Sequence, residues 1–480
     1  MPLHGSRFLF CLLIPVFAFA VGCRGSQQIR DPDYYELSAA ISESWYDPVA
    51  VESAMDPVVP ELSGSHPVED YIQFGLAQNP QIQAARMFLE SSAHRVPQAA
   101  SLQGPTLGLA VYGEPVQTAS GQQELGMTAS QKLPWPGKLA TRADVAEQEV
   151  EVARAELATA ELEVIEKIKR AYYQIYYVQQ ATSITEDDKK ELERIEGVVD
   201  IQFQVNRVSQ QDLLRVQLEL LELDTDLVRL GQQLDSAQAS LAGLLHVSPE
   251  TLLRALDQLP DESIPRNLEA LYRRAIASRP ELHAALAAIR RDQRASDLAR
   301  LDYFPDVTLG LTWIDTSTAG ISPITNGRDA FLLTTSVNLP IYFKRLEAGV
   351  REAETKAVAS ARQYDAVKDQ TMQEVKDLFA QADSQEELLR LFRIDLIPKA
   401  QHTYEVSIEA YKVGQTDFLQ MIDNFRELLS LKIGAELLEA QLRQSVASLA
   451  RVVGSYELDA ASLLLPLPPT EIDPPVVPEN

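Results

Sequence analysis

The chain has almost no cysteine. Of 480 residues only Cys11 and Cys23 carry a thiol. Cys11 falls in an N-terminal apolar segment of targeting type, so the mature chain keeps Cys23 alone and can form no internal disulfide. After that segment there is no stretch of about 18 apolar residues, which excludes a transmembrane helix. If the mature protein crosses a membrane, it must do so with strands. There is no basic run. The 69 acidic residues outnumber 43 Lys and Arg, for a net charge of -26, which argues against nucleic-acid binding. The six histidines do not pair at ligand spacing and the six methionines do not cluster, so no metal centre is expected. No P-loop or nucleophile elbow is present. The expectation is a chain without catalytic residues and without a cofactor.

Proline is distributed unevenly. None occurs between Gly137 and Ser248. Within that gap Leu139, Ala143, Ala146, Val150, Ala153, Leu157, Ala160, Val164, Ile168, Ala171, Ile175 and Val178 recur mostly at alternating steps of four and three. This is a heptad seam with one extra four-step near Val164. A helix from Lys138 to about Val205 would run about 100 Å at 1.5 Å per residue. Shorter helices are predicted over Val208 to Leu245, Leu268 to Leu301, Thr416 to Val453 and Val68 to Ser101. A second long helix runs from Lys344 to about Tyr411 and contains Pro398, which should kink it.

The chain is also written twice. Asn79-Pro80-Gln81-Ile82 is echoed by Arg279-Pro280-Glu281-Leu282, Leu133-Pro134 with Lys138 by Leu339-Pro340 with Lys344, and Ala239-Ser240-Leu241 by Ala447-Ser448-Leu449. The offset grows only from 200 to 208 residues. That period is too long for a solenoid and reads as duplication of one large unit. The predicted layout is a signal peptide (1–22), an N-terminal linker (23–67), repeat one (68–251), repeat two (252–454) and a Pro-rich tail (455–480). Between the helices, Thr106 to Gly113, Leu125 to Leu133, Val307 to Asp315 and Phe331 to Leu339 alternate apolar with small or polar residues. Each is about nine residues, the length of a tilted membrane-crossing strand. They pair as hairpins around Gly121 and around Gly320 to Gly327. Four strands cannot close a barrel, so closure requires several copies.

Arg7, the apolar stretch Phe8 to Ala20, and Ala20-Val21-Gly22-Cys23 resemble a bacterial lipoprotein signal. That resemblance implies acylation of Cys23, with Arg24 favouring the outer membrane. The element order, Gln131-Lys132-Leu133-Pro134-Trp135-Pro136-Gly137-Lys138 and Tyr411-Lys412-Val413-Gly414 resemble the TolC-like outer-membrane efflux family, over roughly Val68 to Gly454. The resemblance implies a mainly α fold with a small β part, assembled as a homotrimer. Three chains would then make a 12-stranded β-barrel continued by a 12-helix periplasmic α-barrel. It implies the outer-membrane channel subunit of a tripartite efflux pump, a passive duct working with a periplasmic adaptor and, indirectly, an inner-membrane transporter. The Pro-Trp-Pro-Gly-Lys junction points toward the heavy-metal branch. A duct for drugs or secreted proteins, or a periplasmic adaptor lipoprotein with one long hairpin, are the alternatives.

The same resemblance assigns site residues. Val205-Asn206 and Val413-Gly414 match the turns that meet the adaptor, with Asn206 in a glycine place that a left-handed backbone suits. Asp212 matches an aspartate that links neighbouring hairpins in the closed state. Tyr411 matches a gate tyrosine and Asp423 one of two inward carboxylate rings. Gln420 stands where the other ring has aspartate, and Thr416 where the family has a gate arginine.

Overall fold

The computed structural model describes residues 62, 64–205, 208–260, 266–319 and 326–456. The predicted signal segment, Cys23, most of the linker, Asn206 and the tail beyond Tyr456 lie outside them. The described chain is mainly helical and divides into two compact units.

The first unit holds Met87–Ala155 and His283–Ala366. Its centre is a four-stranded sheet built from β2 (Thr106–Gln117), β3 (Gln122–Leu133), β5 (Val307–Ser317) and β6 (Ala330–Val337). The order is β2-β3-β5-β6, every pair is antiparallel, and β3 with β5 joins the two halves of the sequence. The strands extend beyond the predicted alternating cores because bulges let the outer ends stay paired, between Val111 and Val116 and between Gln123 and Leu125. Gly121 turns the first hairpin at φ +143°, where a Cβ would press against the carbonyl oxygen of Ser317.

Register separates the two faces of the sheet. One carries the rows Leu107, Ala129, Leu311, Leu333 and Leu109, Met127, Trp313, Phe331. The other carries Thr106, Ser130, Gly310, Thr334 and Gly108, Thr128, Thr312, Leu332. The first face is apolar and exposed: Leu107 is 82% and Phe331 72% accessible. On the second, hydroxyls pair across strands, Thr106 with Ser130 at 2.7 Å and Thr128 with Thr312 at 3.0 Å.

Below the sheet, buried charge fixes the entry into the long helix α4 (Lys138–Gln204). Lys138 is 3% exposed and its ammonium donates to Asp306 Oδ1 at 2.9 Å and to the Phe304 carbonyl at 3.2 Å. Asp306 also accepts from the Trp135 backbone N–H and pairs with Lys132. Trp135 stacks on Phe304 at 5.0 Å.

The second unit holds described residues through Arg86, Glu156–Leu282 and those from Val367 onward. Its helices are α1 (Val68–Gln78), the rest of α4, α5 (Gln210–Leu245), α6 (Leu268–Ser278), the end of α8 (Phe343–Leu391), α9 (Ile397–Lys412) and α10 (Phe418–Val453). The heptad reading of α4 holds: Val164, Ile168, Ile175 and Val178 are fully buried. Each such side chain contributes roughly 1.5–3 kcal/mol. A two-residue parallel pair, β1 (Gly64–Ser65) with β4 (Leu253–Arg254), is clamped by Tyr71 and Tyr172, whose hydroxyls donate to the Arg254 and His66 carbonyls.

Two separate clusters make up much of the core of this unit. Tyr71, Ile82, Leu241 and Leu245 centre one cluster, while Leu271, Leu449 and Val453 centre another. Both α5 and α10 end on a left-handed residue, His246 at φ 57° and Gly454 at φ 74°. The structure corrects two predicted helices. Val68 to Ser101 breaks into α1, α2 (Pro80–Ala93) and α3 (Arg95–Ala100), and Leu268 to Leu301 into α6 and α7 (Pro280–Leu301). Pro80 and Pro280 push the residue before them out of helical geometry. Asn79 then caps the new helix through its side chain, which accepts from the Gln81 N–H at 2.8 Å. At Pro398 the helix passes through a π-turn, Phe392–Leu396, between α8 and α9.

Candidate gate and docking turns

Two helical hairpins of the second unit, α4/α5 and α9/α10, end in the turns singled out from the sequence. In the first, Val205 is exposed, and Asn206 and Arg207 lie outside the described residues. Ser209 then starts α5 with a reciprocal cap. Its hydroxyl accepts from the Asp212 N–H, and the Asp212 carboxylate accepts from the Ser209 N–H at 3.1 Å and hydroxyl at 2.8 Å. In the second turn Val413 is 68% exposed and Gly414 sits at φ +76°. The Gln415 N–H reaches back to the Ala410 carbonyl and the Gly414 N–H to Tyr411, which closes the helix end. Asp417 caps α10 by accepting from the Gln420 N–H.

Of the gate candidates, the structure brings two together and leaves one apart. Tyr411 is half-buried, packs edge-on against Phe418 at 5.7 Å, and has no hydrogen-bond partner for its hydroxyl. Burial pushes its pKa up to about 12, and the negative charge of Asp212 adds to the shift. The hydroxyl is therefore a neutral donor in the field of a carboxylate, whose Oδ2 accepts from Ser209 in the same chain. Asp423 is exposed on α10, near enough to raise the pKa of Arg426 after the Glu219 and Glu222 carboxylates have done so. Gln420 bonds to Asn424, one turn along the same face.

Sequence reading missed the contacts that join the hairpins. Arg426 of α10 donates to Glu219 and Glu222 of α5, and Glu219 is only 4% exposed. Lys432 reaches Asp188 of α4 at 2.9 Å. Tyr404 of α9 is 5% exposed, packs on Phe425, and has an unpaired hydroxyl whose pKa is raised by burial and then by Glu191 and Asp188. The partners lie about two hundred residues apart, so only the duplication itself could have hinted at them.

A family model for outer membrane efflux proteins matches residues 72–246 and 271–455. The chain belongs to that family. It is an outer-membrane efflux channel protein. The cobalt-zinc-cadmium resistance protein CzcC of Cupriavidus metallidurans is 20% identical over 84% of this chain and 93% of its own length. The pyoverdine export outer membrane protein OpmQ of Pseudomonas putida is 21% identical over 70% of this chain and 72% of its own. Among solved structures, the outer-membrane channel OprN has a TM-score of 0.69 at 19% identity, covering 81% of this chain and 90% of its own. CusC, described as a transmembrane channel, scores 0.70 at 17%, covering 82% and 93%. These two solved channels share the fold of this chain. Among the described residues no helix is long and apolar enough to cross a membrane.

Proposed function

We propose that three copies of the chain close a 12-stranded barrel continued by a 12-helix periplasmic tube, forming the passive exit duct of a tripartite efflux pump. The four-stranded sheet carries this reading. One face is rich in large apolar side chains, the other carries mostly hydroxyls and small residues with Leu332 and Ile314 among them, and β2 and β6 are unpaired edges of the described sheet. An open edge in lipid leaves backbone donors and acceptors unsatisfied at several kcal/mol each. Pairing β6 of one copy with β2 of the next removes both edges and turns the hydroxyl face to the lumen. Native mass measurement in detergent tests it: three chains support the duct, and a stable membrane-inserted single chain overturns it.

Around that duct we place the remaining roles. Cys23 carries the lipid anchor and Arg24 directs it to the outer membrane. Val205, Asn206, Val413 and Gly414 meet an adaptor protein, which links the duct to an inner-membrane transporter that supplies the energy. Val413 and Gly414 suit this because the left-handed turn presents an exposed apolar side chain. Asp212 and Tyr411 form the latch between neighbouring hairpins, since Tyr411 keeps an unpaired donor. Asp423, repeated three times, is a carboxylate ring that concentrates cations. The cargo is a heavy-metal cation, supported by the likeness to a cobalt-zinc-cadmium resistance protein. The pyoverdine exporter among the relatives makes an organic chelate the competing cargo. Zinc, cobalt and copper tolerance of a strain lacking the gene separates the two: loss of tolerance supports cation export, and unchanged tolerance refutes it.

A further inference from the structure

The second hairpin has a joint that the first does not. Between α8 and α9 the helix widens into the π-turn Phe392–Leu396, with the Ile397 N–H bonded back five residues to the Phe392 carbonyl. Pro398 explains it. Proline has no N–H to give the Ile394 carbonyl, and its ring would collide with that carbonyl in a regular helix. Across from the turn lies Gly434 of α10, where a Cβ would meet the Phe392 ring at 3.2 Å. Two separate hydrophobic clusters meet at this level. Phe392, Leu389 and Ala435 belong to the proximal one. Ala400, Tyr404, Ile408, Tyr411, Phe425 and Ile433 belong to the distal one. Ile397 touches both. In the first hairpin the positions 208 residues earlier are Ile184, Lys190 and Asp226; α4 runs through Ile184 and Lys190, and α5 through Asp226, as unbroken α-helix.

We propose that the π-turn and Gly434 are the pivot about which the distal part of the second hairpin, α9 with Phe418–Ile433, swings against the first hairpin when the channel opens. The inference rests on reading the hairpin ends as the gated end of the duct. Arg393 anchors the proximal side of the pivot to Glu439 at 3.2 Å. The distal side is fastened to the first hairpin by the Arg426 and Lys432 ion pairs, in which both cations are partly exposed and exchangeable. Tyr404 adds a bias. Its buried hydroxyl has no partner in the present arrangement while Asp188 and Glu191 of α4 lie close by, so a shift toward them would satisfy a donor that is costly to leave unpaired. The first hairpin, lacking the joint, is the fixed member.

Hydrogen exchange of the detergent-solubilised full chain tests the pivot. Amides of Ile397–Lys412 and Phe418–Ile433 should exchange as one group, about tenfold faster than those of Ala435–Val453. The matching distal stretches of α4 and α5 should show no such step. Pro398→Ala lets the ladder close and should abolish the step. A second measurement needs no change at the turn. Spin labels at Arg194→Cys and Lys412→Cys, in a Cys23→Ser background diluted with unlabelled subunits, should give a broad distance distribution. Labels at Lys167→Cys and Arg390→Cys should give a narrow one. A missing step in the wild type, an equal step in both hairpins, a step untouched by Pro398→Ala, or equally narrow distributions would each overturn the proposal. A wild-type protein that shows the step yet carries no current would refute the duct instead, leaving the pivot standing.

Discussion

Lys138→Met should loosen the junction between the strands and the long helix. Lys138 is 3% exposed and its main partner Asp306 has a side chain 8% exposed, so the substitution leaves a buried carboxylate without its best cation. Removing one member of a buried pair costs about 3–5 kcal/mol. The Asp306 titration sets a second scale. Burial alone would raise its pKa, but Lys138, the Trp135 N–H and Lys132 together hold it down to about 2 against an ordinary 3.8. That difference is roughly 2.4 kcal/mol at 1.36 kcal/mol per unit, shared among the three donors. The folded pKa lies below the unfolded one, so this contribution is complete above pH 3.8 and is lost as pH falls toward 2. The expected destabilisation is therefore about 2–5 kcal/mol per chain, read as a lower urea midpoint in detergent. Asp306→Leu combined with Lys138→Met should recover part of it, because no buried charge is then left unpaired. A loss under about 0.5 kcal/mol, the scale of an exposed pair, would refute the claim that this cluster is desolvated.

Further outcomes follow from the same geometry. Met127→Arg on the apolar face should block membrane insertion, at about 2–4 kcal/mol per copy near mid-bilayer, while Thr128→Arg on the hydroxyl face inserts normally; membrane flotation separates them. Gly454→Ala places a Cβ 2.5 Å from the Ser278 carbonyl oxygen at a positive φ, so it should lower the urea midpoint, whereas Gly231→Ala, with open space around it, should not. Asp212→Ala with Tyr411→Phe should raise single-channel conductance, each lost contact being worth about 0.5–1.5 kcal/mol, and Asp423→Asn should reduce cation preference in reversal-potential measurements. Cys23→Ala should abolish labelling by a radioactive fatty acid without preventing insertion.

Much of the architecture was legible because it follows from spacing. The proline-free stretch and four-three seam made α4 readable to within a residue of its end. Alternation located all four strands, and Gly121 marked the first hairpin. The breaks at Asn79 and Arg279 were present in the sequence as residue-before-proline signals, but hydrophobic periodicity continues across them and hid the change of direction. Pro398 was read as a kink, and the π-turn is how the helix absorbs it; the choice depends on Gly434 opposite, which sequence proximity cannot supply. The Gly414 turn and the capping box at Ser209 and Asp212 are local and were within reach. The ties of Arg426 to Glu219 and of Lys432 to Asp188 were not, since a charged residue on a long helix looks the same whether it faces water or a neighbouring hairpin.

The trimeric duct stands or falls on the native mass of the detergent-solubilised protein taken together with its current in planar bilayers. The expected result is a particle of three chains that conducts ions, with β2 of one chain crosslinkable to β6 of the next by cysteine pairs scanned along the two strands. A single chain that inserts and conducts, or a trimer in which β2 and β6 never crosslink, would contradict it.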